Sequence, residues 1–485
     1  MGLYISKINT HYDESSYHQV CESSTCFDHF LLVHFTSFTS LLSRTYEDYT
    51  RKTTLDITKV HRNRDPNLHP FEKAREYKRA LVATKLDKIF AKPFIGALEG
   101  HADGILCLCT MRSTSNLPLI SGSADGEVRV WDLQSRDTVW RSQSAHAGFV
   151  RGIAPDADGR SFFSCGDDKT VKQWALTAPS RGKNIEPVRT ILAPSALSDI
   201  DHHWKDAQFA TSGDTLCLWD SQRSDPLLNY KWGADSITSV RFNPAESCLL
   251  ASTGSDRSVC LYDMRASVPM RKFVMAMKSN CIAWNPQEPF NFTLANEDHN
   301  LYTFDMRNLS KALMIHKDHV SAVMSVAYSP TGKEFVSGSY DRTVRIFKTT
   351  AGRSREIYHT KRMQRVSTVR FTSDANFVLS GSDDTNIRIW KAEASKALGV
   401  QKGRKQRSEQ INNAVKKRYA HLSEIKRITN DKPIPKSIKK ASKLRHIQME
   451  AEHRKHENRK RHAREDQEDI KLMPERKKAA GREFA

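Results

Sequence analysis

Apolar and polar residues alternate along most of this chain with the two-residue period of a strand that is buried on one face. "ILCLCTM" (105–111), "PLISGS" (118–123) and "EVRVWDL" (127–133) are three consecutive examples. Turn residues punctuate such runs, as in Asp156-Ala-Asp158-Gly159 and Ser329-Pro-Thr-Gly332. The phrase "LISGSADGEVRVWDL" (119–133) then returns as "FFSCGDDKTVKQWAL" (162–176), "FVSGSYDRTVRIFKT" (335–349) and "VLSGSDDTNIRIWKA" (378–392). Weaker copies are "ATSGDTLCLWDS" (210–221), "LASTGSDRSVCLYDM" (250–264) and "TLANEDHNLYTFDM" (293–306).

The aromatic that closes each phrase falls at Trp131, Trp174, Trp219, Tyr262, Phe304, Phe347 and Trp390, at intervals of 43, 45, 43, 42, 43 and 43 residues. A period of about 40–45 residues with four strands per unit is the mark of WD40 blades. One blade cannot bury both of its faces; stacking blades around an axis buries them, and closing the ring leaves short edges. The fold expected is therefore all-β: a seven-bladed WD40 β-propeller over 93–395. "PFIGALEG" (93–100) is expected to close it as the outermost strand of blade seven, beside "IRIW" (387–390).

In WD40 repeats a His, a Ser or Thr, a turn Asp and the Trp form a buried hydrogen-bonded chain. Blade one offers His101, Ser121, Asp125 and Trp131; blade two offers His146, Ser164, Asp168 and Trp174. Complete chains are expected in these two alone, with Asp125 and Asp168 each holding a buried His. Blade six has His319, Ser337 and Asp341, but Phe347 has no N–H to donate. Blade seven has Ser380, Asp384 and Trp390, with Arg362 near its His position; blade five has Leu294 where Ser is expected. These sets resemble a hydrolase triad on paper. They recur in register, whereas a nucleophile would be single, so their role is stability.

The flanks read differently. Residues 1–43 are Ser- and Cys-rich and weakly patterned, an atypical or disordered leader; 44–92 form an N-terminal extension. A helix is expected near 70–83, started by Pro70, with Phe71, Ala74, Tyr77 and Leu81 on one face. From Lys396 to the end come 27 Lys and Arg against 12 Asp and Glu, so +15 of the formal +20 sits in the last 90 residues. Helices are expected over 408–428 and from Lys436 to about Asp469, parted by "KPIPK" (432–436). Ile438, Ala441, Leu444 and Ile447 form a modest apolar stripe. Such charge density, with Tyr419 and several His beside it, suits phosphate binding. Because the charge lies beyond the ring, the tail (396–485) is expected to be separable from the fold.

Nine cysteines form no CxxC pair, which reads as reduced thiols. No apolar run approaches the ~20 residues of a membrane span; "FLLVHFTSFTSLL" (30–42) comes nearest. No P-loop, HExxH, GxSxG or zinc spacing occurs. His202-His203 is a lone pair in an irregular blade and reads as structural. No catalytic residue, metal or cofactor is assigned.

Two flanking segments carry a sharper resemblance. "DPNLHPFEKAREYKRALVATKLDKIFAKPFIGALEGH" (65–101) resembles the segment ahead of the propeller in SOF-type WD-repeat proteins. "KKRYAHLSEIKRI" (416–428) with "PKSIKKA" (435–441) resembles their C-terminal SOF module. The resemblance spans about 55–478 and thins after Arg461. It implies a scaffold in the nucleus and nucleolus, associated with the U3 small nucleolar ribonucleoprotein, pre-rRNA and other proteins of the small-subunit processome, and needed for 18S rRNA maturation. The tail residues it would set on RNA are Lys416, Lys417, Arg418, Lys426, Arg427, Lys436, Lys439 and Lys440. Animal members are also regarded as substrate receptors of cullin-4 ubiquitin ligases. The aromatic-Asp-x-Arg motif of that role has matches at Tyr262-Asp263-Met-Arg265 and Phe304-Asp305-Met-Arg307. Docking a ligase adaptor would use the two Arg as exposed forks; the bland reading pairs them with a neighbouring blade.

Overall fold

The computed structural model describes residues 68–111, 118–176, 186–231, 235–399, 401–462 and 480–484. Contacts divide the chain after Lys78, and the ring lies in the second unit, Arg79–Ala485. The leader expected over 1–43 falls outside the described residues.

Seven antiparallel sheets are formed by the described residues, one per repeat. In chain order the blades occupy 105–142, 150–192, 199–230, 237–275, 279–316, 323–358 and 366–391. The innermost strands touch in sequence, and that of blade seven, Val366–Phe371, touches that of blade one, Ile105–Thr110. Arg370 Nε donates to Leu108 O across this seam at 3.1 Å. Strand Phe94–Leu98 pairs antiparallel with Ile387–Lys391, placing Gly96 opposite Ile389 and Leu98 opposite Ile387. A strand from before the first blade thus completes the last.

The core is a series of clusters at the blade junctions. Val130, Ile153, Phe162 and Trp174 pack together between blades one and two; Phe163, Ile200, Phe209 and Trp219 do so between two and three. Trp131, Trp174, Trp219 and Trp390 are among the largest fully buried side chains. Each closes the third strand of its blade, where alternation points it inward.

The turn before that third strand has a local cause. Its Asp accepts the backbone N–H two residues on: Glu127 donates to Asp125 at 2.9 Å, Thr170 to Asp168 at 3.1 Å, Ser258 to Asp256 at 2.9 Å, Asn300 to Asp298 at 2.9 Å and Thr343 to Asp341 at 3.0 Å. The residue after each Asp has positive φ. Blade one places Gly126 there at 82°, while Lys169, Arg257, His299 and Arg342 accept 60–74°.

Helix α1 (Glu72–Ile89) runs longer than the expected 70–83, with Glu72 in its first turn and Lys88 in its last, as the helix dipole favours. Its buried residues are Ala80, Ala83 and Thr84, not the expected stripe from Phe71 to Leu81. Small residues allow close backbone approach, a term that apolar periodicity does not read. Among the described residues no helix is long and apolar enough to cross a membrane.

The tail forms α2 (Gly403–Arg418), α3 (Ser423–Asn430) and α4 (Lys436–Arg461). The single helix expected over 408–428 is broken. Leu422 is extended (φ −74°, ψ 142°), and the break lets Ile425 of α3 bury to 2 % exposure. The stripe expected on α4 is also redrawn: Ile438 is buried, but Leu444 is 63 % exposed, and Arg445 takes the inward position instead. A last strand, Ala480–Phe484, adds to blade four.

Candidate functional site

Three features concentrate polar and charged groups: the blade corners, the paired arginines and the tail. In blade two the corner is complete. His146 Nε2 bonds Ser164 Oγ at 2.7 Å, Nδ1 faces both Asp168 oxygens at 3.0 Å, and Trp174 Nε1 donates to Ser164 Oγ at 2.9 Å. Blade six has His319 Nε2 on Ser337 Oγ at 2.7 Å and Nδ1 on Asp341 Oδ2 at 2.9 Å, with Phe347 as the silent aromatic.

Blade one departs from expectation. His101 Nε2 bonds Ser121 Oγ at 2.7 Å and Trp131 Nε1 donates to Ser121 Oγ at 2.8 Å. The carboxylate nearest His101 Nδ1 is not that of Asp125, however, but Glu127, at 3.4 Å. Asp125 turns outward and accepts Ala102 N–H at 3.3 Å. Glu127 is held in turn by Arg129 at 2.9 Å, whose guanidinium lies 5.7 Å from the Trp131 ring centre. A Glu two residues after the turn reaches the place that an Asp fills in blade two. Burial, then the Arg129 charge, depresses the His101 pKa to about 4. Burial lowers those of His146 and His319 as well, although their Asp partners pull the other way.

Sequence spacing missed two other corners. Trp219 Nε1 donates to Thr211 Oγ1 at 2.8 Å, eight residues back where Trp131 and Trp174 use ten. In blade five Thr293 bonds Thr303 at 2.8 Å, and Thr303 bonds His316 Nε2 at 3.0 Å, with the His on the outer strand. The paired histidines pack inward: His202 stacks on Phe163 and Nδ1 donates to His203 O at 2.7 Å. Among the described residues, His101, Asp125 and Glu127 could bring ligand atoms within 4.8 Å of one another. The Arg129 guanidinium on Glu127 sets a positive charge where a metal ion would need to sit.

The paired arginines lie on the outside. Arg265 forms a fork with Asp263, Nη2 to Oδ2 at 2.8 Å and Nε to Oδ1 at 3.1 Å; Arg307 does the same with Asp305 at 2.9 and 3.1 Å. Their side chains are 75 % and 65 % exposed. In place of a neighbouring blade, each Arg, in the turn after the third strand, pairs with the Asp that ends that strand two residues before it. Arg307 also lies over the Phe290 ring at 4.7 Å.

The tail is docked on the ring, although each blade and the closing strand are complete without it. Ile425 and Ile438 are buried. Lys432 donates to Ser354 O in blade six and lies 3.8 Å from Asp318. Arg445 Nη1 donates to His319 O at 3.3 Å, and its Nη2 contacts His299. Of the candidate cations, Lys416 pairs with Asp87 of α1 and is partly buried. Lys417, Arg418, Lys426, Arg427, Lys436, Lys439 and Lys440 are exposed.

A Sof1-like domain model matches residues 392–480, and WD-repeat models match 92–132, 138–175, 226–263, 310–348 and 355–391. A curated protein of Xenopus laevis named DDB1- and CUL4-associated factor 13 is 49 % identical over 424 residues, covering 87 % of this chain and 95 % of that protein. This chain belongs to the Sof1-like WD-repeat family. The human protein of the same name is 50 % identical over 438 residues, covering 90 % of this chain and 98 % of that one. Protein SOF1 of Saccharomyces cerevisiae is 43 % identical over 460 residues, covering 90 % and 93 %. Among solved structures, the WD40 propeller domain of Doa1 aligns at TM-score 0.53 and 19 % identity, over 63 % of this chain and 99 % of that one, which concerns fold alone. The two repeats of this Sof1-like chain that the sequence models pass over are blades three and five, whose corners use Thr211 and Thr303.

Proposed function

We propose that this protein is a non-enzymatic scaffold of the small-subunit processome. It would act in the nucleolus in pre-rRNA processing and 18S rRNA maturation, alongside the U3 small nucleolar ribonucleoprotein and other processome proteins. Membership of the Sof1-like family supports the setting. One observation carries the mode of action. The tail is fixed to the ring through Ile425, Lys432, Ile438 and Arg445, and this leaves Lys417, Arg418, Lys426, Arg427, Lys436, Lys439 and Lys440 exposed. A cationic surface held rigidly on a ring can position RNA relative to proteins bound on the blades, because phosphate contacts orient and do not specify.

The test is RNA binding across a salt series, with crosslinking to map the contacts. Six to ten phosphate contacts predict a loss of roughly 10³–10⁵ in affinity between about 50 and 200 mM salt. Reversing charge at Lys417, Arg418, Lys426, Arg427, Lys439 and Lys440 should weaken binding to many sequences alike and flatten the slope. Lys416 is left intact because it pairs with Asp87. Equal affinity and slope in both proteins would remove the tail from RNA binding.

A second reading, docking on a cullin-4 ligase adaptor, is favoured by the two exposed Asp–Arg forks. Replacing Arg265 and Arg307 with Ala should abolish adaptor capture in a pull-down while the fold survives. Undiminished capture would end that reading.

A further inference from the structure

Outer strands of propeller blades are usually kept short, because an open strand edge invites pairing. Blade four is the exception here. Its outer strand, Pro269–Met275, has seven residues, whereas those of blades three and five, Leu228–Tyr230 and Met314–His316, have three each. Among the described residues it is also the outer strand that carries a fifth: Ala480–Phe484 pairs with it antiparallel, Phe484 opposite Lys272, Glu483 opposite Phe273 and Ala480 opposite Met275, with a register irregularity between the last two. Three register pairs with a break between them make a short seal. The register stops opposite Lys272 and does not reach Pro269 or Met270. Just beyond it lies a cavity of about 200 Å³ lined by the apolar side chains of Leu261, Met270, Trp284 and Met306 and by Arg271 and Arg307. Met270 is 43 % exposed and Val268 beside it 65 %.

We propose that the outer edge of blade four is a strand-addition site for an extended segment of a partner protein, occupied in cis by residues 480–484. The partner strand runs antiparallel to Pro269–Met275, takes the backbone positions that 480–484 now hold, and continues past Lys272. Its next apolar side chain enters the cavity beside Met270. Main-chain hydrogen bonds then supply affinity and the cavity supplies selectivity. The cis strand competes at an effective concentration on the order of mM, and a partner displaces it by filling the cavity beside Met270 with an apolar side chain. This inference is independent of the RNA reading, since it concerns a different blade and a protein ligand.

The experiment compares the full chain with a chain ending at residue 479. Hydrogen exchange is read at the outward amides of Lys272 and Val274, since Met275 N–H donates inward to Arg257 O. Binding is read by anisotropy with a labelled peptide of residues 478–485 and with the same peptide extended by two leucines. Truncation should speed exchange at those amides. The truncated chain should bind the octapeptide, and the full chain should bind it at least about tenfold more weakly. The leucines should tighten binding roughly tenfold, and Met270→Glu should cancel only that gain. A peptide N-methylated at alternate amides should not bind. Exchange unchanged by truncation, equal binding of the N-methylated peptide, or a leucine gain that survives Met270→Glu would each overturn the proposal.

Discussion

Lys432 sends its ammonium into blade six, 3.8 Å from Asp318 Oδ2 and in hydrogen-bond contact with Ser354 O. The two partners of this ion pair stand more than a hundred residues apart in the chain. Burial lowers the Lys432 pKa while Asp318 opposes the shift, so the contact holds a partly desolvated cation against a carboxylate. This bond and its neighbours turn a charged tail into part of the molecule.

The first prediction follows from it. A chain ending near residue 395 should keep a cooperative propeller, because every blade and the closing strand Phe94–Leu98 remain. It should melt at a lower temperature than the full chain, since the faces that cover Ile425 and Ile438 become exposed. Ile425→Ala in the full chain should cost roughly 2–5 kcal/mol of local docking free energy, the range for a buried Ile. It should also raise proteolysis of α3 and α4 without unfolding the ring. Identical melting of full and truncated chains would mean that the tail does not dock.

The second concerns the unequal corners. Asp168→Ala strips the buried His146 of its partner and should cost roughly 1–3 kcal/mol. Asp125→Ala should cost less, because Glu127 is the carboxylate at His101. Denaturant melts of the two variants and of Glu127→Gln decide the point. A larger loss for Asp125→Ala than for Asp168→Ala would contradict the geometry.

The third is a pH dependence with a definite sign. His101 and His316 are pushed from the ordinary 6.5 to about 4, chiefly by burial. Their folded pKa lies below the unfolded one, so the unfolded chain binds their protons first as pH falls. The stability they contribute is fully present above about pH 6.5 and is lost as pH drops through the window down to about 4, at up to ~1.4 kcal/mol per pH unit for each His. Melting temperature measured from pH 8 to pH 4 should fall across that window, and His101→Gln should make the fall shallower. A flat profile, or stability rising as pH falls, would show that these histidines are already protonated in the fold.

The sequence alone determined whatever depends on neighbours a few residues away. Alternation named the strands, and the recurring aromatic counted the blades. The turn Asp was legible at residues 125, 168 and 341 because its first bond goes to the backbone two positions on. Even the closing strand at 94–98 could be read, since a ring of four-stranded units one strand short requires it. Only the tertiary structure decided which carboxylate reaches a buried His. Asp125 and Glu127 are equally local to their turn, and the choice between them shows only where the fold brings His101, from before the first strand, against that turn. Thr211 escaped notice because its turn is shorter than the repeat predicts. The tail shows the same divide most fully. Its charge and helices were plain in the residue order, but the burial of Ile425 instead of Leu444, and the inward turn of Lys432 and Arg445, depend on the surface of blades five and six that the helices meet. The strand at 480–484 finds its place on blade four by backbone hydrogen bonds, which carry no side-chain signature and so leave no trace in composition or period.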